Sequence, residues 1–206
     1  MKMTNNWNRF VYHLWAPVYD VTVSHFFMPG RRRALAVLAL QPGERVLLVG
    51  VGTGSDLPLL PEGVEATGID LSPDMLAKAG RKLPLSRARV QLIQGDAQVL
   101  LVDEASFDAV ILNLILSVVP DGRACLQAGL QALKPGGRAV VFDKFQPDNE
   151  ELSLVRKGLN FFSTLLGTDI TRRFGDLMCD CPCRVIRDEP SLLGGMYRVI
   201  VLRKDG

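Results

Sequence analysis

The stretch VLLVGVGTGSDLPLL, residues 46–60, constrains the fold of this chain more than any other. Val46, Leu47, Leu48 and Val49 form an unbroken apolar run, the pattern of a strand covered on both faces. The run meets Gly50, Gly52 and Gly54 at alternate positions, after which the pattern predicts a helix. Glycine lets the backbone turn sharply and lets a ligand approach without meeting a β-carbon. A helix N-terminus placed there favours electron-rich groups. Two familiar uses of such a turn do not match its spacing. A dinucleotide site needs G-x-G-x-x-G, and the third glycine position holds Ser55; the P-loop string G-x-x-x-x-G-K-[ST] does not occur.

The same texture continues downstream. Strands are expected over 45–49, 66–70, 90–94, 107–113 and 138–142, with helices over 72–83 and 122–133. Ser72-Pro73-Asp74 supplies an N-cap, a proline at the first helical position and a first-turn acid. Lys134-Pro135-Gly136-Gly137 reads as a turn. Apolar strands alternating with helices indicate a parallel sheet covered on both sides. The tail differs: 149–178 looks helical, and 184–188 and 197–203 look like strands joined through Gly194-Gly195, close enough to pair antiparallel. At the other end, seven of the fourteen aromatic residues and both histidines, His13 and His25, fall within the first thirty positions. Residues 5–15 have helical apolar spacing, and Pro17 is expected to end or bend that helix; a second helix is expected from about Pro29 to residue 40. The expected organisation is an aromatic helical cap, 1–40, on one α/β domain, 41–206.

With 206 residues the core needs no disulfide or metal staple. Twenty-four basic against 22 acidic residues is too balanced for an electrostatic nucleic-acid binder, and no nucleic-acid motif is visible. No apolar run reaches the length of a membrane span, and no signal pattern opens the chain, so a cytoplasmic protein is expected. Cys125 stands alone. Cys179, Cys181 and Cys183 crowd into Cys-Asp-Cys-Pro-Cys, which fits neither a disulfide framework nor paired zinc knuckles. They read as small, half-buried residues leading into a strand, and no metal site is assigned.

Two carboxylates strengthen the reading of the glycine turn. Asp70 closes the second strand about twenty residues on, where a carboxylate can accept from both hydroxyls of a ribose. Asp96 closes the third, where it can accept from an adenine amino group. In an open α/β sheet these strand ends share one crevice.

Residues 45–143 resemble the core of the class I S-adenosylmethionine-dependent methyltransferases, through VLLVGVGTG (46–54), VEATGIDLSPDML (64–76), VQLIQGDAQ (90–98), FDAVILNLILSVVPD (107–121) and LKPGGRAVVFDKF (133–145). WAPVYD (15–20), GRRR (30–33) and SVVPD (117–121) add a likeness to the soluble bacterial phosphatidylethanolamine N-methyltransferases, neighbours of the quinone-biosynthesis methyltransferases. The resemblance implies a Rossmann-like, mostly parallel seven-stranded sheet with a C-terminal antiparallel hairpin and an N-terminal helical lid. It implies S-adenosylmethionine as cofactor and S-adenosylhomocysteine as product. Gly50, Gly52, Thr53 and Gly54 would pass under the methionine and ribose, Asp70 would hold the ribose, and Leu71 would pack on the adenine. Asp96 and Ala97 would meet the adenine edge, Asn113 and Leu114 would line the methionine end, and Tyr19 would fold over the site.

One position departs from the family pattern. An acid commonly stands two residues before the first glycine, and here that residue is Leu48. Losing a hydrogen bond to a charged partner weakens binding by about 1.5–3 kcal/mol, which keeps a cofactor-binding module without turnover as the alternative to an enzyme. A nicotinamide-dependent reductase is more remote, given Ser55. An amine acceptor must be neutral to react, and Tyr19, His13 and Asp143 are the candidates to take its proton. His13 also reads as an exposed, partly packed imidazole, and Asp143 as a cap for the segment after the fifth strand. The N-terminal aromatics fit a lid, an ammonium pocket, or a surface that meets the inner membrane with Arg31, Arg32 and Arg33 on lipid phosphates. The arginine run also reads as a solvated helix end. Phe161 and Phe162 belong to the expected acceptor wall. The acceptor is a small molecule or a lipid head group, and oligomeric state is not legible.

Overall fold

Neighbouring residues of the first strand enter different apolar layers, which is what two-sided burial of an unbroken apolar run requires. In β1 (Arg45–Val49), Val46 and Leu48 join one layer and Leu47 and Val49 the other. The computed structural model describes residues 24–146, 172–179, 181 and 183–206. The remaining strands are β2 (Glu65–Asp70), β3 (Arg89–Gln94), β4 (Phe107–Asn113), β5 (Leu133–Lys144), β6 (Cys183–Pro190) and β7 (Tyr197–Lys204). They form one sheet in the order β3-β2-β1-β4-β5-β7-β6. The first five are parallel, and β7 runs antiparallel to both its neighbours. This is the mostly parallel seven-stranded sheet with an antiparallel C-terminal pair that the sequence led us to expect.

Helices α1 (Ser24–Leu38) and α2 (Pro73–Lys82) cover one face, and α3 (Gly122–Ala132) and the short α4 (Phe174–Leu177) the other. Each fully buried aliphatic side chain contributes about 1.5–3 kcal/mol, so β1 and β4, buried almost throughout, anchor the domain. The ends of the helices are pinned by side chains. Ser72 Oγ accepts from Met75 N–H at 3.4 Å, and Asp121 caps α3 by accepting from Ala124 N–H at 2.9 Å. At the C-terminus of α1, the Arg138 guanidinium donates to the carbonyls of Leu38 (2.6 Å) and Ala39 (2.9 Å) while pairing with Glu44.

Four expectations need correction. The helix predicted after the glycine turn is only a 3₁₀ turn, Leu57–Leu59. Pro58 sits in it, and Pro61 forces Leu60 into extended backbone (ψ 133°), so no α-helix can propagate. The second helix begins at Ser24, carries Pro29 inside it as its sixth residue, and ends at Leu38. The turn 134–137 is a bulge within β5: the register jumps from Phe107↔Leu133 to Ala109↔Arg138. Within the predicted helix 149–178, Arg173 instead forms a β-bridge with Gln146, and Phe174–Leu177 is the helical part among the described residues.

Candidate active site

β1, β2 and β4 end at one edge of the sheet, and the loop after β3 joins them there, around a crevice. Gly50, Gly52 and Thr53 line it from the turn after β1, and Asp70 and Leu71 from the end of β2. Asp96 and Ala97 line it beyond β3, and Asn113 and Leu114 at β4. Gly54 is not among the lining residues. It turns its α-carbon towards α2, where a β-carbon would come within 2.9 Å of Ala79 Cα, so its small size serves packing.

Asp70 ties the glycine turn to α2. One carboxylate oxygen accepts from Gly52 N–H at 2.8 Å and the other from Ser72 N–H at 2.9 Å. Burial pushes its carboxyl above the ordinary value, against those amide hydrogen bonds. Asp96 accepts from the backbone and side-chain amides of Gln98 at 2.9 and 3.1 Å. Gln98 in turn accepts from Asp121 N–H at 2.7 Å, linking the β3 side of the crevice to the start of α3.

Asp143 is fully buried and does not line the crevice. Its carboxylate accepts from Ser117 N–H at 2.9 Å and Lys144 N–H at 2.8 Å, and burial raises its carboxyl above the ordinary value against those bonds. Among the described residues its partners are backbone amides, and it holds the loop after β4. Tyr19, His13, Phe161 and Phe162 lie outside the described residues. Leu114, which follows Asn113, adopts a left-handed backbone (φ 59°) and donates to Phe142 O at 2.7 Å.

Sequence reading missed three residues. Arg31, taken there for a solvated helix end or a lipid contact, is 9% exposed and lines the crevice, whereas Arg32 and Arg33 are exposed. Its Nη1 pairs at 2.5 Å with Asp56, itself 3% exposed, and Asp56 also accepts from Asn113 Nδ2 at 3.1 Å. A polar Asp56 in an otherwise apolar stretch was the available signal. The third is Arg172, whose guanidinium donates to the carbonyls of Leu116, Val119 and Pro120 and fixes the 115–120 wall. Cys181 and Cys183 pack against the apolar layer, and Cys183 opens β6.

The crevice has room and unmet polar groups for a ligand. A β-carbon on Gly52 would point into open space, its nearest neighbour the Gly50 carbonyl at 4.0 Å, so the chain leaves a bare backbone there. Asn113 Oδ1 is buried with no hydrogen-bond partner among the described residues. The sequence profile of the methyltransferase domain family matches residues 47–141. A phosphatidylethanolamine N-methyltransferase from Cereibacter sphaeroides is 33% identical over 192 residues, spanning 90% of this chain and 92% of the relative. The chain belongs to the class I S-adenosylmethionine-dependent methyltransferases.

A demethylmenaquinone methyltransferase from Staphylococcus epidermidis is 35% identical over 121 residues, 57% of this chain and 50% of that one. The fold matches a Bacillus halodurans protein provisionally named a methyltransferase, with a TM-score of 0.73 at 15% identity over 85% of this chain and 99% of the other. The family and fold of this methyltransferase imply use of S-adenosylmethionine, and Gly52, Asp70 and Asn113 present the bare backbone, carboxylate and free acceptor that such a molecule fits. Among the described residues, no helix is long and apolar enough to cross a membrane.

Proposed function

We propose that this methyltransferase methylates the amine of a small molecule or lipid head group, with phosphatidylethanolamine-type N-methylation as its specific reaction. The observation that carries the acceptor class is the 33% identity, across nearly all of both chains, to a relative of that name. S-adenosylmethionine, when bound, supplies a sulfonium methyl group with a good leaving group already attached. The residues of the chain then have to hold, orient and exclude water rather than generate a nucleophile. In this reading Gly50, Gly52 and Thr53 carry the cofactor on bare backbone, and Asp70 accepts from the ribose hydroxyls. Leu71, Asp96 and Ala97 hold the adenine, and Asn113 and Leu114 border the methionine end. Gly54 contributes by seating the turn on α2. Ile115, Val118, Val119 and Pro120 form an apolar wall beside Asn113 that suits exclusion of water.

Tyr19 and His13 are the proposed groups for the acceptor's proton, in the part of the 1–40 segment that precedes α1; α1 itself packs on the sheet of the domain 41–206. The buried Asp143 is proposed only to hold the 114–117 turn. Contact of the cap with the inner surface of the cytoplasmic membrane belongs to the same reading. The test is transfer of labelled methyl from S-adenosylmethionine to phosphatidylethanolamine vesicles, run beside a demethylated quinone and soluble amines. Monomethyl lipid is expected. Transfer to the quinone carbon alone, or to none of them, overturns the reading.

A further inference from the structure

The sheet ends in two open strands, β3 and β6, and the two are built differently. β6 carries the devices that keep an edge from pairing. It has a bulge between Val185 and Arg187, Pro190 at its end, and charges at Arg184, Arg187, Asp188 and Glu189. β3 has none of them past its first residue. Its register with β2 runs unbroken from Glu65↔Arg89 to Asp70↔Gln94. It contains no proline, and after Arg89 it reads Val-Gln-Leu-Ile-Gln, without a charge.

One side of this strand's backbone is open. Arg89 N–H donates to Val64 O at 2.9 Å and Gly95 N–H to Asp70 O at 3.0 Å, so the odd-numbered residues carry the parallel ladder to β2. The amides and carbonyls of Val90, Leu92 and Gln94 therefore point away from β2, and among the described residues no strand lies beyond them. The side chains of Gln91 and Ile93 are exposed. Leu85, just before the strand, and Val99 and Leu101, just after it, are exposed as well, Leu101 at 93%. Four of the eight large apolar side chains exposed among the described residues thus fall within 85–101. An uncharged, regular edge with apolar flanks is a surface for another strand.

Charge selects which strand. From Ser86 to Gln98 the charged residues are Arg87 and Arg89 at the start of β3 and Asp96 beyond its end. A second copy laid antiparallel, about a two-fold axis near Gln91 and Leu92, sets each basic start beside the partner's acidic end. A parallel copy would bring arginine beside arginine. The two-fold also returns each face of the sheet to itself, so Val90 and Leu92 meet the apolar face of the facing strand.

We propose that β3 pairs antiparallel with β3 of a second copy of this chain, joining the two sheets into one. The two crevices then open at opposite ends of the shared sheet, each bordered by the Asp96 that follows its own β3. The pairing does not depend on what the crevice binds. Sedimentation velocity on the full chain over a concentration series, with hydrogen exchange read at single amides, tests it. The expected wild type is a dimer that dissociates on dilution, with the Val90, Leu92 and Gln94 amides protected in the dimer. Gln91→Lys and Gln91→Glu set like charges against each other near the axis, and each should raise the dissociation constant about tenfold or more. An equimolar mixture of the two variants should restore the dimer, since lysine then faces glutamate. Unchanged circular dichroism certifies that both variants fold. A wild type that sediments as one chain at every concentration overturns the proposal. A dimer that neither variant weakens, or a mixture no tighter than either variant alone, overturns it as well. So does protection of the three amides in a single chain, which would mean that the edge is covered from within the same molecule.

Discussion

Gly30 of α1 lies so close to the ring of Phe142 that a β-carbon would come within 2.1 Å of its Cζ. The ring is fully buried near the end of β5 and cannot swing away. This contact sets the depth of α1 on the sheet, and the next residue is Arg31. Gly30→Ala should therefore destabilise the protein by about 1–3 kcal/mol through overpacking, against a gain of roughly 1 kcal/mol in helix propensity. Thermal denaturation checks this, and S-adenosylhomocysteine affinity should fall with it as Arg31 is displaced.

Asp70→Ala removes the acceptor for Gly52 and Ser72 together with the proposed ribose contact. Adenosine affinity should fall by about tenfold or more, with Asp70→Asn retaining part of it. Since burial raises the Asp70 carboxyl above its ordinary 3.8, its protonation on acidification begins earlier than for a free carboxylate. Affinity measured against falling pH should decline correspondingly early.

Asp143 is tied to Ser117 across 26 residues of sequence, inside a fully buried setting. Asp143→Ala should leave Ser117 N–H unsatisfied and cost about 1–3 kcal/mol. Asp143→Asn, keeping one acceptor oxygen, should cost less. If Asp143 were instead a proton acceptor for the reaction, the Asn variant would lose turnover while keeping its melting temperature, so the two readouts divide the roles.

Glu44 is held below its ordinary carboxyl value, first by its hydrogen bond to Arg138 and against desolvation. A lowered folded value means the unfolded chain binds the proton more readily, so this pair adds stability above pH 4.5 and loses it as pH falls through the folded value. The difference in melting temperature between wild type and Glu44→Gln should be full at neutral pH and shrink below that point. Asp70 and Asp143, both raised, work in the opposite sense: their contribution falls as pH rises from 3.8 through their folded values. A pH series on the single variants separates the two signs.

The cysteines should label in order of access. Cys179 is exposed and should react first with a maleimide. Burial, with a smaller push from Cys181, raises the Cys183 thiol to about 11, so only about a thousandth is thiolate at pH 8. Buried Cys125, whose thiol burial also raises, should react only on unfolding. Mass spectrometry of native and denatured samples reads this directly.

The strands and the parallel character of the sheet were legible because β1 and β4 are apolar on both faces, a pattern with few other solutions. The carboxylates Asp70 and Asp96 were legible because strand ends are set by the same pattern. The Leu57–Leu59 turn was not, since the apolar spacing there is that of a helix while Pro58 and Pro61 stop one from propagating. Arg31 was hidden for a different reason. Three arginines in a row look alike in sequence, and only the approach of α1 to Phe142 turns the first inwards while Arg33 meets Glu189 at the surface. Likewise Asp56 pairs across 25 residues, and Asn113 reaches it across 57. No local spacing records such contacts.

The antiparallel strand β7 lies between β5 and β6 although it is made after both. Until residues 197–204 emerge, β5 presents an open row of amides flanked by Val140, Val141 and Phe142, all destined for full burial. A half-sheet assembled before that strand would carry an open apolar edge, which β7 covers in the native order. Holding that edge apart from its neighbours is the point at which a chaperone would matter most, and slow delivery of β7 would drive loss to aggregates rather than a milder loss of activity.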